Sequence, residues 1–470
     1  MKENLNNIHE GTMKILEEVG IKFIHEEILE ILRHNNIKVL DNIAYFKRDQ
    51  IMKWVGKAPG TFKIYARNSK HDMLIGGDHT EFLSCNSGFP FIADFDGNLR
   101  AAKYDDYITF LKLVQQTPHF NINGGVMVTP CDIDQDNLYQ IMLNATLNHS
   151  DKCIFGGMGG QREAEMTMDM LSIVFGGKEE LLAKPRIVAI ISSASPLMFD
   201  KTMLETMLVY VRSGQPVIIA PAVMAGTTGP VSIGGAIAIS NAESLAGIAV
   251  AQMIREGAPV IYGSATSVAD MKNGSFCIGA PESALAVTYC AGLAKHYGVP
   301  CRGGGTLTDA KSVSIQAGYE GMMVLLTAAQ EKMNFILHSA GGLGSYESMC
   351  FEKYIADVEM VGMVKRVVEG VSTDENAIPL DVIKTVGIGG EFLTHEHTVT
   401  NFRKHTFIPD VSVRGAIQKD ETPNGKLLTN INKKKEKMLR KYKKPELPRD
   451  IQSKLMEYLK DNHIDCTGLV

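Results

Sequence analysis

The chain has 470 residues, 45% of them hydrophobic and 21% charged, which suits one large core with terminal additions better than three separate domains. A formal net charge of -5 argues against a nucleic-acid partner, and eight cysteines without a C-x-x-C pair read as reduced thiols rather than a disulfide framework. The start, Met1-Lys2-Glu3-Asn4-Leu5, lacks the apolar core of a signal peptide, and no apolar stretch long enough for a bilayer runs without polar relief; a cytoplasmic protein with no membrane span is expected.

Residues 1–57 read as a mostly helical N-terminal segment. Short alternating runs such as Thr61-Phe62-Lys63-Ile64-Tyr65 and Phe89-Pro90-Phe91-Ile92 mark residues 58–103 as a small β-rich insertion. A different pattern follows. The runs Lys152 to Phe155, Ile187 to Ile191, Ile218 to Ala220, Val260 to Tyr262, Cys301-Arg302 and Phe335 to His338 are short and apolar, and each ends in glycine, serine or another small residue. Three of them follow a glycine, one spacer and a proline, at Gly214-Gln215-Pro216, Gly257-Ala258-Pro259 and Gly298-Val299-Pro300. Glycine supplies the left-handed turn that stops a helix, and proline prevents its resumption. Continuous apolar strands alternating with helices are the mark of a parallel sheet buried on both faces.

Six βα units are visible from residue 152 to 370, and a seventh begins at Asn121-Ile122-Asn123-Gly124-Gly125. Seven or eight units predict a (β/α)8 TIM barrel over residues 104–415, with residues 416–470 as a C-terminal helical extension. The basic run from Lys433 to Lys444 reads as the solvated face of a helix in that extension. No G-x-G-x-x-G opens a helix and no P-loop occurs, so nucleotide chemistry has no motif support.

In such a barrel the loops after the strands form the working face. Asp309 and Lys311 lie there, with Gln316 to Glu320 on the next helix, and Asp309 has an alternative role as that helix's N-cap. His395-Glu396-His397 offers two histidines without a third ligand, so no tightly bound metal is expected.

Four ordered motifs, Gly279-Ala280-Pro281-Glu282, the block Thr308 to Glu320, Ser339-Ala340-Gly341-Gly342 with Phe351-Glu352-Lys353, and Gly389-Gly390-Glu391-Phe392-Leu393-Thr394-His395-Glu396-His397-Thr398 with Phe402-Arg403, resemble the trimethylamine methyltransferase (MttB) superfamily. That resemblance implies transfer of a methyl group from a methylated amine to the Co(I) of a separate corrinoid protein. The founding enzymes carry pyrrolysine in the loop after the strand ending near His338. Here Gly342-Leu343-Gly344-Ser345-Tyr346-Glu347-Ser348 are ordinary residues, so the chain is similar to the non-pyrrolysine branch, which implies a quaternary amine such as glycine betaine, proline betaine, carnitine or γ-butyrobetaine. A quaternary ammonium already has a neutral amine as leaving group, so the protein need only bind, orient and exclude water.

Under that reading Phe89, Phe91 and Tyr346 are expected around the ammonium, with Phe351 assigned to core packing. His338 is expected at the carboxylate, with Lys311 and Arg302 next in order and Glu347 nearby. Gly157 and Gly304 are expected to leave room for the corrin ring, and Asp309, Gln316, His397 and Arg403 to face the corrinoid. No D-x-H-x-x-G cobalamin signature occurs, so cobalamin is expected to arrive on its carrier, and the resemblance implies a homo-oligomer. Two other readings compete: a barrel aldolase or lyase with a Schiff base on Lys311, and a non-catalytic betaine-binding protein.

Overall fold

The apolar runs are barrel strands, and the computed structural model, which describes residues 2–374, 377–416, 422–466 and 468–469, contains eight of them. They are β1 (Glu81–Phe82), β2 (Ile122–Gly124), β3 (Cys153–Phe155), β4 (Ile187–Ile191), β5 (Val217–Ile219), β6 (Val260–Gly263), β7 (Cys301–Gly303) and β8 (Phe335–Ile336). Neighbours from β2 to β8 pair in parallel in chain order, β8 pairs in parallel with β1, and a parallel bridge between Phe82 and Phe120 closes the ring. Eight helices follow the strands: α1 (Tyr104–Gln116), α2 (Leu138–His149), α3 (Gln161–Phe175), α4 (Lys201–Arg212), α5 (Ile233–Ile254), α6 (Pro281–Tyr297), α7 (Ile315–Gln330) and α8 (Phe351–Glu369). The fold is the expected (β/α)8 barrel.

The eighth strand lies where the sequence pattern hides it. β1 falls inside the span expected for the β-rich insertion, so the barrel begins before residue 104. Two residues are too few for a pattern, and partners define the strand instead: Glu81 N–H donates to Asn334 O at 2.9 Å and Leu83 N–H to Ile336 O at 3.0 Å.

The rest of that span caps the barrel at both ends. The hairpin Thr61–Ile64 with Met73–Gly76 seals the floor, where Ile64, Met73 and Ile75 join Ile122, Val188, Ile218, Ile261 and Phe335 in the barrel's inner core. At the mouth, Phe91–Ala93 and Leu99–Ala101 join Gly342–Leu343 and Ser348–Cys350 in a four-stranded sheet that ties the β1 loop to the β8 loop. A second small sheet joins Met224–Ala225 after β5 to Ser267–Ala269 and Phe276–Cys277 after β6.

The helices Lys2–Lys14, Glu26–His34 and Arg48–Val55 pack on α5, accompanied by a small sheet that pairs with Met198–Phe199. α5 is long and apolar enough to cross a membrane, yet it is buried from Ser240 to Gln252 as a wall helix of the barrel. In the C-terminal extension, Pro423–Lys441 packs on α8 and α1, and Arg449–Asp461 packs on α3. Two lysines of the basic run are ion-paired, Lys434 with Asp410 and Lys435 with Glu352.

Candidate active site

Strand alternation decides what enters the barrel. On β7, Cys301 turns outward and Arg302 turns inward, so a guanidinium stands near the top of an otherwise apolar interior with only 4% of its surface exposed. Nη1 donates to Ser264 O at 3.2 Å, Nη2 lies 3.1 Å from His338 Nε2, and Nε has no partner. No carboxylate among the described residues pairs with it. Burial lowers its pKa, and without a counter-ion its desolvation costs several kcal/mol.

His338, two residues beyond β8, has a left-handed conformation, φ +64°, which turns its ring toward Arg302. Two donors meet this ring: Arg302 at Nε2, and the Asn86 backbone N–H at Nδ1, 3.3 Å away. Burial, reinforced by the Arg302 charge, drives the pKa of His338 well down and keeps the ring neutral. A neutral imidazole has one free lone pair, so two donors compete for it. The cluster is short of an acceptor, and a carboxylate oxygen would supply one.

Tyr346 closes the other side. Its ring is 5.3 Å from the His338 ring, 6.0 Å from Phe89 and 6.3 Å from Phe276, the last nearly parallel. Burial pushes its hydroxyl up to about 12, so it remains neutral. Ser345 and Tyr346 both have positive φ, +53° and +78°, a strained pair held from outside. Gly344 N–H donates to Ala310 O, Ser345 N–H to Thr308 O, and the Ser345 hydroxyl to Asp309. Asp309 also accepts from the backbone of Ile278 at 2.8 Å and Gly279 at 3.1 Å. Arg302, His338, Tyr346, Ser264 and Ile278 line a narrow cavity of about 30 Å³.

Several expected residues stand elsewhere. Phe91 lies on the small sheet at the mouth and is 37% exposed, because alternation on that strand buries Ile92 instead. Lys311 pairs with Glu347 at 3.0 Å on the outer rim, and both remain in water. Gly157 and Gly304 leave no gap: a methyl on Gly157 would overlap Glu163 and Tyr139, and one on Gly304 would overlap Ala328. Asp309 is a clamp between loops rather than a group facing a ligand, and Ser314 caps α7 in its place. Gln316 donates to Glu320 at 2.8 Å, and Glu320 accepts from Thr308 and from Asp309 N–H, so both brace the clamp. His397 and Arg403 sit on the exposed helix Glu396–His405, away from the cavity. Phe351 stacks on Phe110 at 4.3 Å, in the core as expected. Phe276 escaped the sequence reading because its two-residue strand sits among Asn273, Gly274 and Ser275, which read as loop.

A closed barrel with a buried, unpaired cation sharing a cavity with the central ring of an aromatic cluster at the strands' C-terminal ends is the architecture of a small-molecule enzyme of the TIM-barrel class. The chain belongs to the family described as trimethylamine methyltransferase (MTTB), whose pattern it matches over residues 1–465. It is 41% identical to a glycine betaine methyltransferase of Desulfitobacterium hafniense over 97% of this chain and 95% of that one. It is 29% identical to a proline betaine:corrinoid methyltransferase of Eubacterium limosum, covering 94% and 96%. The monomethylamine methyltransferase (MtmB) of Methanosarcina barkeri shares the fold, with a TM-score of 0.50 at 9% identity, covering 92% of this chain and 98% of that one.

Proposed function

We propose that this chain transfers a methyl group from a carboxylate-bearing quaternary amine, glycine betaine or a near relative, to the Co(I) of a corrinoid on a separate carrier protein. The observation that carries the proposal is the buried Arg302 guanidinium, without a counter-ion among the described residues, in one cavity with Tyr346, whose ring meets those of Phe89 and Phe276. A betaine is the matching molecule: its carboxylate accepts from Arg302 and His338, and its ammonium meets aromatic faces worth about 1–2 kcal/mol each when desolvated. The small cavity must widen to admit it, and the strained Ser345-Tyr346 turn is the element placed to yield.

The carrier's Co(I) supplies the nucleophile. The carbon–nitrogen bond breaks with its electron pair on nitrogen, so the tertiary amine leaves neutral and no side chain has to give a proton. The chain's own work is to fix the carboxylate at Arg302, aim one methyl at the mouth and exclude water. Exposed apolar side chains above the cavity suit a docked carrier: Val231, Met271, Leu285, Ile315 and Tyr319 stand on the loops and first helical turns after β5, β6 and β7. This rim takes the place of His397 and Arg403 as the carrier's surface.

The test is to mix the protein with a reduced Co(I) corrinoid carrier and glycine betaine, proline betaine, carnitine, γ-butyrobetaine or trimethylamine, and to follow the corrinoid absorbance. Loss of the Co(I) signal with a betaine and not with trimethylamine is expected. Reaction with trimethylamine alone overturns the proposal. Betaine binding by calorimetry without any change at cobalt leaves a binding protein instead.

A further inference from the structure

Most buried tyrosines of this barrel give their hydroxyls to partners. Tyr107 shares a hydrogen bond with Thr146 at 2.8 Å, Tyr139 donates to Phe155 O at 2.9 Å, Tyr262 donates to Asn241 at 2.9 Å, and Tyr354 shares one with Thr117 at 2.8 Å. An unpaired hydroxyl out of water is costly, so this is the expected state. Tyr210 departs from it in the wall, packed against Gly156. Tyr346 departs from it at the mouth: its hydroxyl has no hydrogen-bond partner among the described residues, and its side chain lines the same cavity as Arg302 and His338. Burial raises the pKa of that hydroxyl and the Arg302 charge draws it back down, so the two groups act on each other across the cavity. A neutral hydroxyl beside a guanidinium is a further donor for whatever anion the guanidinium holds.

The walls limit the size of that ligand. On one side the loop after β7 is locked to β8. Thr306 N–H donates to His338 O at 2.8 Å, and Gly305, φ +110°, lies so close to the carbonyls of Leu337 and His338 that a methyl there would overlap both. Arg302 and His338 therefore keep their spacing. On the other side Tyr346 is wedged by Phe89 and Phe276, and its turn is tethered by the hydrogen bonds of Gly344 to Ala310, Ser345 to Thr308 and the Ser345 hydroxyl to Asp309. A turn so tethered yields by a short step, and the space it starts from, about 30 Å³, holds little more than a water.

We propose that Tyr346 sets the length of the substrate, its ring facing the ammonium while its hydroxyl joins Arg302 and His338 on the carboxylate. One side chain serves both poles only when they are close together, as in glycine betaine and proline betaine, where a single carbon separates nitrogen from carboxylate. Carnitine and γ-butyrobetaine have three carbons there and must give up one contact or the other. The inference rests on the function proposed above and narrows it to the short betaines.

Calorimetric titration tests this without a carrier. The full-length wild type is titrated with glycine betaine, proline betaine, carnitine and γ-butyrobetaine, and so is Tyr346→Phe, which keeps the ring and removes the hydroxyl. The wild type is expected to bind the two short betaines about tenfold or more tighter than the two long ones, the scale of one hydrogen bond to a charged group. The variant is expected to lose about that factor for the short betaines and little for the long ones, so that the gap closes. A wild type that binds long betaines as tightly as short ones overturns the inference, whether or not the variant folds. A variant with unchanged far-UV circular dichroism that keeps the gap also overturns it. In both of these cases betaine binding persists and the proposed function stands; a wild type that binds no betaine overturns both.

Discussion

Two buried cations, on neighbouring elements of the same barrel, are treated in opposite ways. In the wall behind the mouth, Lys353 of α8 is 2% exposed and fully met: Nζ lies 2.6 Å from Asp357 Oδ2 and donates to Thr306 O at 2.9 Å, while Asp357 also accepts from Gly341 N–H and the Thr306 hydroxyl. At the mouth, Arg302 is equally hidden and meets one carbonyl and one contested imidazole nitrogen. Lys152, near the floor, follows the first pattern, donating to the carbonyls of Val114, Thr117 and Phe120. A structural cation is satisfied by the fold that buries it. A cation left short of partners is held for a ligand.

The two therefore respond differently to removal. Arg302→Met is expected to lower kcat/KM for the betaine by about a thousandfold or more, the scale of losing a buried charge-assisted contact of ~4 kcal/mol, while the thermal midpoint holds or rises because an unpaired buried charge is gone. A variant that keeps its activity, or that melts well below the wild type, breaks the comparison. Lys353→Met is expected to do the reverse, removing about 3–5 kcal/mol of stability in chemical denaturation by leaving Asp357 uncompensated, with betaine affinity in the surviving folded fraction little changed.

Acid sharpens the same contrast. Burial, with nearby lysines, pushes His119 and His149 down to about 4, and His338 is also held neutral. A histidine is half-protonated near 6.5 in the unfolded chain, so between about pH 6.5 and 4 the unfolded state binds more protons than the folded one. Stability conferred by these groups is complete above that window and declines as the pH falls through it. Thermal midpoints from pH 7 to 4.5 are expected to fall, and His119→Gln to flatten the fall; an unchanged slope in that variant removes His119 from the account. The smallest effect is expected from Lys311→Ala, which leaves methyl transfer within about twofold of wild type because an exposed ion pair contributes little. Loss of activity there would revive a Schiff base.

Much of the barrel was legible because its signals are local. Short apolar runs ending in small residues mark the units from β2 to β8, Gly-x-Pro helix ends reinforce three of them, and only β1, a two-residue strand with a glutamate in it, carries no such signal. At the site, the sequence points to His338 from its place at a strand end and to Tyr346 and Phe89 from their places in loops, and the structure brings the His338 and Phe89 rings against that of Tyr346. What separates Arg302 from Lys311 was not legible, since the first is distinguished by the absence of a carboxylate in space and the second by the presence of Glu347. Gly157 and Gly304 were misread for a related reason: a sequence does not distinguish a glycine that leaves space from one whose space is filled by Glu163, Tyr139 or Ala328.

The hairpin that seals the barrel floor has a kinetic consequence. Tyr65 N–H donates to Pro185 O and Asn68 N–H to Asp151 O, so the plug is stitched to the strands' lower ends and the interior opens only upward. A carrier seated on the rim of Val231, Met271 and Ile315 would cover that opening. Amine must then enter before the carrier docks, and the demethylated amine must wait for it to leave. On the proposed function, turnover is then expected to be ordered, amine before carrier, and a rate that falls as carrier is raised to saturation checks it.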